Sequence, residues 1–113
     1  DEQIVSAEYV EDATGAPSQD LNGSYGFLFW LNRTGALAGP ASPTHADTID
    51  EAPVGQMVPD APEDLVWALG LGSQIIQIHE PTDTVVVRLG PMTFNSPYDQ
   101  AKTARVVTEA VTD

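Results

Sequence analysis

Apolar positions along the chain fall into a few separated blocks. In residues 1–15, Tyr9, Val10 and Ala13 recur at helical spacing, Ser6 suits an N-cap and Gly15 suits a stop, so a short helix is predicted. "APSQDLNGS" (16–24) is turn chemistry throughout. "YGFLFWLN" (25–32) is dominated by aromatic and branched residues, with Phe27, Phe29 and Leu31 on one face and Leu28 and Trp30 on the other. That composition predicts a strand covered on both sides, with Tyr25 beside a position, Gly26, that has no side chain.

Residues 33–64 follow neither a 3.6 nor a 2.0 period. Five of the nine prolines lie between Pro40 and Pro62, so this segment reads as a long surface loop. "APED" (61–64) resembles the start of a helical turn. The next block, 65–90, opens with a Gly-Leu-Gly lead-in at Gly70–Gly72. "QIIQI" (74–78) and "TVVVRL" (84–89) then form an antiparallel hairpin about the turn "EPTD" (80–83). Alternation puts Ile76 and Ile78 on one face with Val85, Val87 and Leu89 on the partner strand. Ile75, Gln77, His79, Val86 and Arg88 take the opposite face. Residues 95–113 close the chain as an amphipathic helix, with Ser96 and Pro97 at its start. Its apolar stripe is Ala101, Ala104, Val107, Ala110 and Val111.

The predicted class is therefore α+β: about three antiparallel strands, flanking N- and C-terminal helices and one long loop. All of this is one segment, because 113 residues hold one domain or less. Two helices are too little cover for strands this apolar. The shortfall leads to the expectation of missing partner structure, from the same chain or another, and a start lacking Met suggests a mature form or a fragment.

Charge narrows the partners. Seventeen acids against four basic residues give a net charge of −13, a field that repels phosphate backbones and anionic lipid. The acids are scattered and form no acidic tail. No apolar run approaches the roughly 18 residues of a membrane span, and no signal peptide is visible. The compartment stays open, with the periplasm and the exterior both admitted. Cysteine is absent, which removes disulfides and thiolate metal sites.

Few residues carry chemistry. A Ser-x-x-Lys pair is absent: the only lysine is Lys102, and Asp99 stands three residues before it. Gly-x-Ser-x-Gly is also absent, and His45 and His79 lack a local catalytic context. No metal-ligand spacing occurs and no cofactor is expected. Gly70 and Gly72, on either side of Leu71, have two readings. They can shape a turn or bulge beside a strand, or they can let the Leu71 N–H approach a ligand and hold a developing oxyanion.

The order "SAEYVEDAT…SYGFLFWLN", then "APEDLVWALGLGSQIIQIHEPTDTVVVRLG", resembles the C-terminal part of the beta-lactamase-related serine hydrolases. It is closest to the branch of esterases, penicillin-binding-like proteins and 6-aminohexanoate-dimer hydrolases. The resemblance covers about residues 4–111. It implies that the chain is the last strands and terminal helix of an α/β sandwich. It further implies ester or amide hydrolysis through an acyl-enzyme, with the remainder of the hydrolase domain as partner and a small ester or amide as substrate. The family's Ser-x-x-Lys and Tyr-x-Asn-like motifs lie upstream of the matched region and are absent here. Tyr9, Tyr25 and Tyr98 do not stand in such a motif. Where the family carries Lys-Thr-Gly or His-x-Gly, this chain reads Ala68-Leu69-Gly70-Leu71, without the polar first residue.

The resemblance thus implies a backbone role for the Leu71 N–H as oxyanion donor, shaped by Gly70 and Gly72. Trp67 and Leu69 would border the substrate, and the chain would be inactive alone. Two alternatives stand beside it. One is a non-catalytic, truncated module that binds a partner through an exposed sheet edge. The other is a small acidic structural domain adapted to salt.

Overall fold

The computed structural model describes residues 2–19, 22–37, 53–90 and 98–112. Helix α1 is Ala7–Thr14 and helix α2 is Gln100–Thr112. The strands are β1 (Trp30–Leu31), β2 (Gly35–Ala36), β3 (Val54–Gly55), β4 (Val66–Gly70), β5 (Gln74–His79) and β6 (Thr84–Arg88). They form an antiparallel four-stranded sheet in the order β1-β4-β5-β6 and a two-stranded sheet of β2 and β3. The α+β class expected from the sequence is observed.

Helix α1 begins where the Ser6 Oγ accepts the Tyr9 N–H at 3.2 Å and ends at Gly15, whose N–H reaches the Glu11 carbonyl. Only Ala13 of this helix is buried. Its carbonyl oxygen lies against Gly26, where any Cβ would collide with it. The glycine in Tyr25-Gly26 thus serves the close approach of a helix end.

The strand expected over 25–32 is shorter than its composition suggests. Tyr25 bridges to Trp30, the Gly26 N–H bonds the Phe29 carbonyl, and Leu28 takes a φ of 67°. The chain therefore doubles back on itself, leaving Phe27 and Leu28 exposed and only Trp30 and Leu31 in the sheet. The rings of Tyr25 and Trp30 meet edge to face at 4.7 Å across this reversal. The expected double cover for this segment therefore does not arise.

The described ends of the 33–64 segment are also more ordered than a loop. They carry β2 and β3, and they place Val58 and Ala61 in the core beside Leu65. Asn32 organises this return. It is fully buried, and its Nδ2 donates to the carbonyls of Val58, Ala61 and Pro62 at 3.0, 3.1 and 2.9 Å. Its Oδ1 accepts the Val58 N–H at 2.8 Å. One carboxamide thereby replaces a turn of regular hydrogen bonding across residues 58–62.

Residues 66–70, for which the sequence predicts no strand, form β4, one of the two inner strands of the four-stranded sheet. Its register is Trp67↔Gln77, Ala68↔Ile76 and Leu69↔Ile75, and β5 continues to β6 through Ile76↔Val87 and Gln77↔Val86. The period of two then defines two faces. Trp67, Leu69, Ile75, Gln77, Val86 and Arg88 point to one side. There Trp67, Ile75 and Leu65 pack with Val58, Ala61 and Ala104 of α2 to make the core. Val66, Ala68, Ile76, Ile78, Val85 and Val87 point to the other side, which α2 does not cover.

In α2 the buried positions are Ala104 and Thr108, while Ala101, Ala110 and Val111 of the expected stripe are exposed. The Thr108 hydroxyl bonds back to the Ala104 carbonyl at 2.8 Å, which lets a polar residue share the buried face. The expected cap, Ser96 and Pro97, lies outside the described residues.

Candidate functional site

Gly70 and Gly72 belong to the β4–β5 hairpin turn. Gly70 pairs with Gln74, and Leu71, Gly72 and Ser73 make the loop. Gly72 has a φ of 77° and Ser73 a φ of 62°, so two consecutive residues sit in left-handed backbone. Glycine takes this conformation without steric cost, whereas serine does not.

Two side chains fix this turn. The Arg88 Nη1 donates to the Ser73 carbonyl, and its guanidinium lies 4.5 Å above the Tyr98 ring. The Gln74 amide brackets Gly90: its Oε1 accepts the Gly90 N–H at 3.0 Å and its Nε2 donates to the Gly90 carbonyl. Neither residue was a candidate from sequence. A lone Arg in a valine-rich strand and a lone Gln after a turn carry no spacing signal.

At the tip, Leu71 is 86% exposed, and its N–H has no acceptor among the described residues. The result is a main-chain donor without an acceptor among the described residues, on an exposed and fixed turn. Leu69 is partly buried against the core cluster two residues before the tip. Trp67, expected beside substrate, is 0% exposed, and its Nε1 donates to the Gln77 Oε1 at 3.0 Å. It sits inside the core, where a ligand on the surface does not reach it. The structure thus brings Gly70, Leu71 and Gly72 together at one tip and places Trp67 beneath it.

A second polar cluster surrounds His79, which is buried. Its Nε2 lies 3.3 Å from the Asp64 Oδ1 and its Nδ1 lies 2.7 Å from the Thr82 Oγ1. The Thr82 hydroxyl is also 3.0 Å from the Thr84 Oγ1 and 3.4 Å from the His79 carbonyl. Both ring nitrogens of His79 and the Thr82 hydroxyl thus have partners within this cluster. The cluster ties the end of β5 and the 3₁₀ turn Glu80–Thr82 to the segment that carries Asp64, which is a structural task.

Between α1 and the uncovered sheet face lies a groove of about 420 Å³. Val10 and Tyr9 form its wall and Val66 and Ile78 its floor, and Glu11, Asp64, Glu80 and Arg33 line it with charge. Among the described residues no group of His, Cys, Asp and Glu is placed to hold a metal ion, and no helix is long and apolar enough to cross a membrane. Comparison with protein-family models, with curated proteins and with solved structures finds no match to this chain.

Proposed function

We infer that this chain is the C-terminal part of a serine hydrolase acting on esters or small amides, inactive alone. The observation that carries this reading is the unpaired Leu71 N–H at the tip of a turn held by Arg88 and Gln74. Fixed donors aimed at a developing charge are what acyl transfer requires. In the reaction, a serine hydroxyl outside residues 1–113 attacks the substrate carbonyl and gives up its proton to a neighbouring base. The carbonyl electron pair moves onto oxygen and is held there by the Leu71 N–H. Collapse of that intermediate expels the alcohol or amine, which takes the proton back from the base, and water then hydrolyses the acyl-enzyme and restores the serine hydroxyl. Gly70 and Gly72 keep the approach to the amide clear, and Leu69 stands near the acyl group.

The test has two arms. The 113-residue chain should not turn over p-nitrophenyl esters. The natural reading frame should encode a Ser-x-x-Lys upstream, and its full product should lose about 100- to 1,000-fold in kcat on Leu71→Pro, which deletes the N–H. Turnover by the chain alone, or a full product without Ser-x-x-Lys, would sink the reading.

The alternative, a non-catalytic binding module, draws on a different observation. Among the described residues strand β6 is a sheet edge, and it exposes Val85 and Val87.

A further inference from the structure

Among the described residues, the face of the sheet opposite α2 is apolar and uncovered over β5 and β6. Val85 is 61% exposed, Val87 57%, and Leu89, just beyond β6, 79%; Ile76 is exposed beside them on β5. Register places Ile76 opposite Val87 and Ile78 opposite Val85, so these side chains form one continuous patch. Three strands about 4.8 Å apart make a floor wide enough for one helix, whose diameter is about 10 Å. Contiguous apolar patches of this kind mark interaction surfaces.

The groove beside α1 continues this floor at Val66 and Ile78, and α1 adds an apolar wall through Tyr9 and Val10. Charge then selects the occupant. Glu11, Asp64 and Glu80 border the groove against one cation, Arg33, and the whole chain carries a net charge of −13. A second copy would bring a second charge of −13 to this rim, and an anionic lipid surface is repelled by the same field.

We propose that the bare sheet face and its groove bind a basic amphipathic helix. Its apolar stripe would lie on Ile76, Val85 and Val87, and its Lys or Arg side chains would reach Glu11 and Glu80. The proposal does not depend on the hydrolase reading, since it is tested by binding and not by turnover.

The experiment measures fluorescence anisotropy of labelled helical peptides with the 113-residue chain. The probe is a roughly 18-residue Leu/Lys peptide patterned as an amphipathic helix, long enough to cross the strands. The controls are a scrambled peptide of identical composition and a Leu/Glu peptide of the same pattern. The amphipathic Leu/Lys peptide should bind at least tenfold more tightly than either. Val85→Ser with Val87→Ser should weaken it about tenfold, because exposed apolar anchors at the centre of a patch dominate such contacts. Glu11→Gln with Glu80→Gln should weaken it several-fold and flatten its salt dependence, which keeps the test usable if the valine variant does not fold. Val106→Ser, on exposed α2 behind the sheet, should change nothing. Equal binding of the scrambled peptide, or no binding, overturns the proposal. So does sedimentation showing a dimer of the free chain that the valine variant dissolves.

Discussion

Asn32→Ala tests whether one buried carboxamide holds the 58–62 return. Among the described residues the Val58 N–H bonds only the Asn32 Oδ1, so the substitution strands a buried donor, at a cost of about 1–3 kcal/mol. The Ala61 carbonyl loses the Asn32 Nδ2, which adds about 1 kcal/mol. The Val58 and Pro62 carbonyls each keep a backbone partner, Ala61 N and Leu65 N, and add little. The cavity left by the amide adds about 1 kcal/mol more. The expected loss is therefore about 3–5 kcal/mol, against the roughly 6–17 kcal/mol that a chain of this length has in total. Urea unfolding followed by tryptophan fluorescence reads it directly, because Trp67 is fully buried beside this segment. With an m-value near 2 kcal/mol/M, the midpoint should fall by about 2 M. Asn32→Asp should be no milder. It keeps an acceptor for the Val58 N–H but turns a carboxylate toward three carbonyls. Thr34→Ala, which removes an exposed bond to Glu63, should stay within about 0.5 kcal/mol. A loss below about 1 kcal/mol for Asn32→Ala would refute the role assigned to the carboxamide.

Two further outcomes are expected. Ser24 is fully buried and its hydroxyl has no hydrogen-bond partner among the described residues. Ser24→Ala should thus stabilise the fold by about 0.5–1.5 kcal/mol in the same urea assay; destabilisation would reveal a partner for the hydroxyl. Trp67→Phe removes the donor to the buried Gln77 Oε1 and should cost about 2–4 kcal/mol. Adding Gln77→Leu should recover part of that loss, and a double-mutant cycle with no coupling would contradict it.

The β5–β6 hairpin was legible because two short runs of β-branched residues flank a four-residue turn with Pro81, a local signal that its pairing bears out. Ser6 and Gly15 were legible as helix ends because their chemistry is local. Strand β4 was missed for a physical reason. Glycines punctuate both strand ends and turns, so Gly70 and Gly72 before an apolar run suit a lead-in as well as a hairpin loop. Only pairing of Val66–Gly70 with β5 decides between them, and pairing is a non-local fact. The aromatic run 25–32 failed in the opposite sense. Its composition favours a strand, but Gly26 against the Ala13 carbonyl and the left-handed Leu28 turn it back. Asn32, Gln74 and Arg88 act through partners 15 to 30 residues away in sequence, and nothing in their neighbours announces it.

The two faces of the sheet therefore have separate tasks. The packed face supplies rigidity. Trp67, Ile75, Leu65 and Ala104 close it, and Arg88 reaches from it to hold the Ser73 carbonyl at the hairpin tip. A merely tolerated surface turn would not need a guanidinium stacked on Tyr98 to place two left-handed residues. The opposite face contributes little to that rigidity, since Val85 and Val87 remain more than half exposed. An apolar surface kept free on a sheet already fixed from behind is preorganised. Whatever docks there loses its own freedom, but the sheet loses almost none, which is the condition under which a modest patch gives useful affinity.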